Sequence, residues 1–81
     1  MRIYGLKRGA RIRVKKNFLD FDGSEVKAGW DMVLRDYDVF PYEDGHTLTF
    51  FNGRVIRLSG NEPANVPMMD DVDDEYWELV L

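Results

Sequence analysis

Three short residue pairs that favour tight turns divide the chain and restrict what it can fold into. They are Asp22-Gly23, Asp44-Gly45 and Asn52-Gly53. Glycine adopts the positive φ that a tight turn requires, and Asn-Gly between two β-prone runs is the strongest short-range hairpin signal. Short segments punctuated by such turns are typical of antiparallel strands. The spacing therefore predicts an all-β fold.

Two segments alternate in hydrophobicity with the period of a strand. In residues 11–15, Ile12 and Val14 point to one side and three basic side chains point to the other. In residues 30–35, the apolar side chains that share one face are Trp30, Met32 and Leu34. Residues 36–42 are predicted to be a connection, because Pro41 cannot donate a ladder hydrogen bond.

The Asn52-Gly53 pair predicts a hairpin between residues 47–51 and residues 54–58. With a two-residue loop, Phe50 opposes Val55 and Thr49 opposes Ile56. This register puts apolar side chains on both faces of the hairpin. Burial on both faces is typical of a strongly curled sheet or small barrel, so the pattern favours closure.

The C-terminal part of the chain is less regular. Residues 59–69 carry two prolines without periodicity and are predicted to be a loop. Residues 70–81 have two interpretations. As a helix, Asp70 or Asp71 caps an acidic first turn, and an apolar stripe follows. As a strand, Trp77 and Leu79 alternate with polar neighbours. We favour a short helix.

The expected fold class is all-β: a five-stranded SH3-like barrel with a short C-terminal helix. Residues 1–81 are expected to form one small β-barrel domain, near the low end of chains that fold alone. Five Phe, four Tyr and two Trp are available for its core. Each buried ring removes roughly 150–250 Å² from water, so we expect most of these rings to be buried.

Composition excludes several kinds of chemistry. The chain has no cysteine, which excludes disulfides, thiolate zinc sites and cysteine nucleophiles. No apolar run approaches the ~20 residues that span a bilayer, and the N-terminus lacks the apolar segment of a signal peptide. We therefore expect a cytoplasmic protein without a membrane partner.

Two motifs suggest a family. Asp20-Phe21-Asp22-Gly23 forms a D-x-D-G turn, and residues 40–48 read FPYEDGHTL. The chain resembles a small bacterial domain-of-unknown-function family in which such a turn precedes a P-Y-E-D-G-x-T-L hairpin, and the resemblance covers roughly residues 6–80. It implies a small, SH3-like β domain without an assigned activity, and it carries over no functional residue.

Charge is segregated along the chain. Residues 1–35 hold nine Lys or Arg against four Asp or Glu, whereas residues 36–81 hold two against eleven. Either the acidic half folds against the basic half, or one face is presented to a charged partner. We favour the first interpretation because it requires nothing beyond the chain itself.

His46, with Glu43 and Asp44 nearby, is the one arrangement that suggests acid–base catalysis. No recognisable nucleophile accompanies it, and turn chemistry explains the segment, with Gly45 supplying the positive φ. Neither Asp20-x-Asp22-Gly23 nor the acidic run after Asp70 has the ligand spacing of a calcium loop. We predict no catalytic residue, no cofactor and no metal site.

A basic strip invites a nucleic-acid interpretation, since small barrels often bind nucleic acids. Its members are Lys7, Arg8, Arg11, Arg13, Lys15 and Lys16. The acidic pI of about 4.8 and the acidic second half argue against this partner. RNA or DNA binding is therefore kept only as an alternative.

Protein binding is the leading hypothesis. A surplus aromatic residue in Phe40-Pro41-Tyr42 is a candidate anchor for a partner, although these rings could instead close the end of the barrel. Pairing of edge strands leaves room for a homodimer.

We therefore predict a non-enzymatic protein-interaction module. The main alternative is an acidic immunity or antitoxin-type protein, which attracts a basic partner enzyme through its acidic tail. The candidate residues of that tail are Asp70, Asp71, Asp73 and Asp74.

Overall fold

The computed structural model describes residues 1–81 as a mainly β structure. The elements are β1 (Arg11–Val14), β2 (Phe18–Leu19), β3 (Glu25–Val26), β4 (Asp31–Phe40), β5 (Gly45–Phe50), β6 (Val55–Ser59), α1 (Val66–Met69) and β7 (Trp77–Leu79). Five strands form one antiparallel sheet in the order β6-β5-β4-β1-β7, and β2 pairs with β3 as a separate ribbon. The all-β prediction is confirmed.

The alternation predicted for β1 is confirmed. Ile12 and Val14 are 0% and 1% exposed, whereas Arg11 and Arg13 face solvent. Fifteen buried apolar residues, including these two, form one core cluster. The outer strands β6 and β7 are not paired with each other. The likeness to an SH3 barrel therefore stays a prediction.

β4 is longer than the sequence pattern indicates, and the connection predicted for residues 36–42 is wrong for residues 36–40, whereas residues 41 and 42 do lie in the turn before β5. The strand continues to Phe40, and residues 36–40 all pair with β5. The pairing shifts by one residue between Leu34 and Asp36, which marks a β-bulge at Arg35. Because a one-residue shift reverses the two faces, Tyr37 rather than Asp36 packs against the core. Because the bulge interrupts the alternation of buried and exposed residues, the sequence pattern does not indicate that the strand continues beyond it.

The β5–β6 hairpin exists, but its predicted register is wrong by one residue. The Phe50 N–H donates to the Arg54 carbonyl, so the loop has three residues, and Leu48 pairs with Ile56. A three-residue loop with glycine last is the common alternative to the two-residue turn. In this register the apolar residues share one face, with Leu48, Phe50, Ile56 and Leu58 at most 1% exposed. The argument for closure from two apolar faces therefore fails.

The C-terminal helix predicted for residues 70–81 is also wrong. The only helix, α1, lies in the segment expected to be a loop, and the tail ends in β7, which pairs Trp77 with Val14. Trp77 is 0% exposed and donates its Nε1–H to the Met68 carbonyl at 2.8 Å. At four residues, α1 is far too short to span a membrane, and the chain has no other helix.

Asp71 explains why the tail turns instead of forming a helix. Its buried carboxylate accepts hydrogen bonds from the backbone N–H groups of Glu75, Tyr76 and Trp77, and it contacts the amino group of Met1. These bonds bend the chain back towards β1. Burial raises the pKa of Asp71, but the backbone donors and the ammonium group outweigh burial and hold the pKa below its usual value.

Candidate partner-binding surface

The D-x-D-G loop is fastened to the edge of the sheet. The Asp20 carboxylate accepts the N–H groups of Asp22 and Ser24 within the turn, at 3.0 and 2.9 Å. It also accepts the Arg57 N–H, and the Phe21 N–H donates to the Arg57 carbonyl. The loop therefore occupies both backbone groups of Arg57 on β6. Phe21, between the two acids, remains 43% exposed.

The second motif forms the turn between β4 and β5. Glu43 and Asp44 adopt the left-handed conformation, with φ of 62° and 44°, and Gly45 does not. The role expected for Gly45 is therefore wrong. The Ser59 hydroxyl donates to the Glu43 carbonyl, and the Gly60 N–H donates to the Asp44 carbonyl. These bonds hold the turn against β6.

The two motifs face each other across a pocket on the outer side of β5 and β6. Its volume is about 210 Å³, and its lining includes Phe21, Phe40, Tyr42, Glu43, Gly45 and Arg57. The exposed fractions of Phe40 and Tyr42 are 63% and 80%. Gly45 lies at the base of the pocket, where a larger residue would be crowded, because its Cβ would lie only 3.2 Å from the Phe40 Cβ. We call this feature the aromatic pocket.

The aromatic pocket includes part of the predicted anchor and one residue that sequence reasoning missed. Phe40 and Tyr42 line it, whereas Pro41 is exposed outside the lining. Neither ring belongs to the core cluster, so they do not close the end of the core. Phe21 was missed. The signal was an aromatic residue inside a glycine turn, where the backbone leaves little room for burial.

Charge around the aromatic pocket is unbalanced. Arg57 Nη1 lies 3.1 Å from Asp22 Oδ1, so its charge is already compensated. Glu43 is exposed and makes no ion pair. The pocket therefore offers aromatic surface beside one free carboxylate. That combination suits an apolar side chain with a cation next to it.

His46 is among the residues that line this pocket, but its ring is buried in the fold. The side chain is 2% exposed, with Nε2 2.8 Å from Asp44 Oδ1 and Nδ1 2.7 Å from the Tyr37 hydroxyl. Because the carboxylate only accepts, Nε2 carries a proton and donates it to Asp44, while Nδ1 is hydrogen-bonded to the Tyr37 hydroxyl. Both ring nitrogens are thus engaged in joining β4, β5 and their turn.

Two tyrosines beside His46 hold their protons more tightly than usual. Burial, followed by the nearby Tyr4 and Asp44, raises the pKa of Tyr37. Burial, followed by Asp44 and Asp70, raises the pKa of Tyr4. Both hydroxyl groups are therefore neutral near pH 7. The cluster can donate and accept hydrogen bonds, but it presents no activated nucleophile.

The four acidic residues proposed to attract a partner are largely engaged within the chain. Asp70 pairs with Arg2, Asp71 is 5% exposed, and Asp74 contacts the amino group of Met1. Only Asp73 is exposed without an ion pair. None of the four lines the aromatic pocket.

The basic strip is similarly engaged. Arg11 and Arg13 bind Asp31, whose pKa the Arg11 hydrogen bond lowers to about 2. Further ion pairs join Arg13 and Lys15 to Glu78, and Lys16 to Glu75. Lys7 and Arg8 make no ion pair. The acidic half therefore folds against the basic half, as the favoured interpretation of the charge pattern states.

Comparisons with known proteins identify a fold relative. No protein-family model matches the chain, and no curated protein matches it. A solved structure with a similar fold is an integron cassette protein from the mobile metagenome of Vibrio cholerae. The TM-score is 0.71 at 24% sequence identity, over 93% of this chain and 88% of that one. This small all-β protein thus shares its fold with a bacterial cassette protein.

Proposed function

We propose that this protein is a non-enzymatic protein-interaction module. Its aromatic pocket binds one apolar side chain of a partner protein. The observation that carries the proposal is the exposure of Phe21, Phe40 and Tyr42 around a recess of about 210 Å³. Exposed aromatic rings around a recess are typical of the anchor positions that dominate protein–protein binding energy.

The size of the pocket favours a side chain over a metabolite. Small-molecule sites usually enclose ~300–1,000 Å³, more than this recess provides. A single side chain of a partner needs less space and brings further contacts around the rim. Glu43 at the rim favours Lys or Arg beside the apolar residue, since a free carboxylate there attracts a cation.

The rigidity of the surroundings supports binding without rearrangement. The D-x-D-G loop is bonded to β6, and Ser59 and Gly60 hold the opposite turn. Pre-organised surfaces lose less conformational entropy when they bind. The pocket is therefore expected to bind in the form described above.

Selection from a random peptide library displayed on phage tests the proposal, because such a selection needs no identified partner. Enriched peptides are expected to place an apolar residue next to Lys or Arg. The double variant F40A/Y42A should bind them at least about tenfold more weakly, as expected for loss of anchor rings. Phe51→Ala is the matched control, because Phe51 is also 53% exposed but follows the last residue of β5, at the end of the strand away from the pocket. If the enriched peptides bound F40A/Y42A with the same affinity as the unchanged protein, the proposed binding at the aromatic pocket would be contradicted.

A further inference from the structure

The two halves of β4 have different neighbours. Residues 31–33 pair with β1 on one side, and Leu34 together with residues 36–40 pairs with β5 on the other. β1 begins at Arg11, and the preceding chain turns away, with the Ala10 N–H bonded to the Lys7 carbonyl. Beyond the bulge, β4 is therefore an edge strand. We call residues 36–40 the distal half of β4.

The hydrogen-bond pattern shows which backbone groups this edge presents. The Phe50–Arg54 bond makes the even-numbered residues of β5 face β6, so its odd-numbered residues face β4. In β4, residues 36, 38 and 40 lie opposite residues 49, 47 and 45 of β5, respectively. These three residues of β4 therefore form the backbone hydrogen bonds with β5. The backbone N–H and C=O groups of Tyr37 and Val39 consequently point away from the sheet. They have no partner in the protein.

The other sheet edges are occupied in part, at Arg57 of β6 and at Trp77 of β7. At β6, Asp20 and Phe21 bind both backbone groups of Arg57. At β7, Asp71 binds the Trp77 N–H, and the Met1 amino group binds the Trp77 carbonyl. Proteins usually protect their sheet edges in this way. The distal half of β4 lacks such cover.

The proximal half of β4 shows which neighbour this strand accepts. There Asp31 lies between Arg11 and Arg13 of β1, at 2.8 and 3.3 Å. Asp36 and Asp38 repeat this acidic face in the distal half. Asp36 pairs only with the adjacent Arg35, and Asp38 makes no ion pair. On the opposite face, apolar surface remains open at Val39, which is 57% exposed, and at Tyr4, which is 54% exposed and packs on His46.

We propose that the distal half of β4 binds an extended segment of a partner protein by strand addition. The segment has Lys or Arg alternating with apolar residues. The backbone of this segment forms hydrogen bonds with the backbone groups of Tyr37 and Val39. Its cationic side chains face Asp36 and Asp38, and its apolar side chains cover Val39. Sheet edges bind peptides in this manner elsewhere. The inference goes beyond the aromatic pocket and does not depend on it, because it rests on the backbone groups of Tyr37 and Val39 and on the carboxylates of Asp36 and Asp38, and none of these residues lines that pocket.

A second copy of this chain is a poorer occupant. Antiparallel pairing of two such edges centred on Tyr37 would place Asp36 of one copy opposite Asp38 of the other. Like charges directly opposite each other destabilise a strand pair. The acids thus select a basic strand and reject self-association.

The test uses the synthetic peptide acetyl-KVKVKVK-amide and its charge-reversed control acetyl-EVEVEVE-amide. Binding is measured by titration, and amide hydrogen exchange is followed by NMR. We expect KVKVKVK to bind at least about tenfold more tightly than EVEVEVE. Exchange of the Tyr37 and Val39 amides should slow by about tenfold or more when it binds. Equal binding of the two peptides, or binding without this protection, overturns the proposal.

Two kinds of variant separate charge from backbone recognition. The double variant D36K/D38K should reverse the peptide preference, whereas E62K/D73K, with the same change in net charge at exposed positions elsewhere, should not. Val39→Pro removes an N–H that points outward, a substitution that edge strands tolerate. It should abolish peptide binding while the fluorescence-monitored unfolding transition remains cooperative. Unchanged binding in Val39→Pro, or protection of Tyr37 and Val39 that rises with protein concentration alone, contradicts the proposed occupant.

Discussion

At the scale of single residues, the acids of the tail have very different roles. Asp71 is a buried acceptor for three backbone N–H groups, whereas Asp73, two positions later, is exposed and unpaired. The local sequence Asp-Asp-Val-Asp-Asp does not separate these roles, because each acid is an equally good cap for a helix or turn. Long-range contacts with Met1 and β1 decide between them. This is why the local pattern predicts a helix cap at a residue that organises a turn.

Asp71→Asn tests this role. The amide keeps one acceptor oxygen but turns an NH₂ group towards backbone donors, so we expect a loss of about 2 kcal/mol in the free energy of unfolding at pH 7. Asp73→Asn, the matched control, should change it by less than about 0.5 kcal/mol. Urea denaturation followed by tryptophan fluorescence measures both. Similar effects of the two substitutions would show that Asp71 does not organise the tail.

The same comparison has a defined pH dependence. The folded pKa of Asp71 is below its unfolded value of ~3.9, so its ionisation contributes fully to stability above that pH. The contribution is lost as the pH falls from about 4 through the folded pKa. The difference between Asp71→Asn and the unchanged protein should therefore shrink when denaturation is repeated at decreasing pH.

At the scale of elements, the sequence identifies hairpins more reliably than their registers. The Asn52-Gly53 turn and the alternation of β1 were found correctly. The register failed because two- and three-residue loops share the same Asn-Gly signal, and a difference of one residue exchanges the two faces. The bulge at Arg35 also shifts the faces of β4 by one residue, so the sequence pattern did not indicate the second half of that strand. Turn length and bulges depend on packing against neighbouring strands, which a local pattern does not contain.

The conformation of the β5–β6 turn can be tested at Gly53. Its φ is 89°, and no atom lies within 4 Å of an added Cβ, so only backbone strain opposes a side chain there. Gly53→Val should lower the free energy of unfolding by roughly 1–2 kcal/mol, because a β-branched residue is forced to positive φ. Gly53→Asn should cost less, since asparagine tolerates this region. Equal urea midpoints for Gly53→Val and the unchanged protein would contradict the turn.

At the scale of the whole molecule, tertiary contacts create both proposed surfaces. Phe21 and Phe40 are distant in sequence and meet at one pocket because the D-x-D-G loop docks on β6. The sequence showed both motifs, and it suggested Phe40 and Tyr42 as an anchor. It did not show that the motifs converge, since no periodicity links a loop to the strand that receives it. The sequence also did not indicate the open edge of β4, because its pattern predicts a connection in place of that part of the strand.

The tail shares the core with the sheet, so a change at Trp77 should affect the whole fold. Trp77 packs edge-on against Phe18 and bonds the Met68 carbonyl, which joins β7, β2 and α1. Trp77→Ala should cost about 3–5 kcal/mol, a large part of the ~5–15 kcal/mol that stabilises a typical domain. Trp30→Ala is the matched control. Trp30 is only partly buried, beneath the Arg54 guanidinium, and its loss should be milder. Urea unfolding monitored by circular dichroism compares the two variants. A cooperative transition of Trp77→Ala at the midpoint of the unchanged protein would show that the acidic tail is an appendage to the sheet.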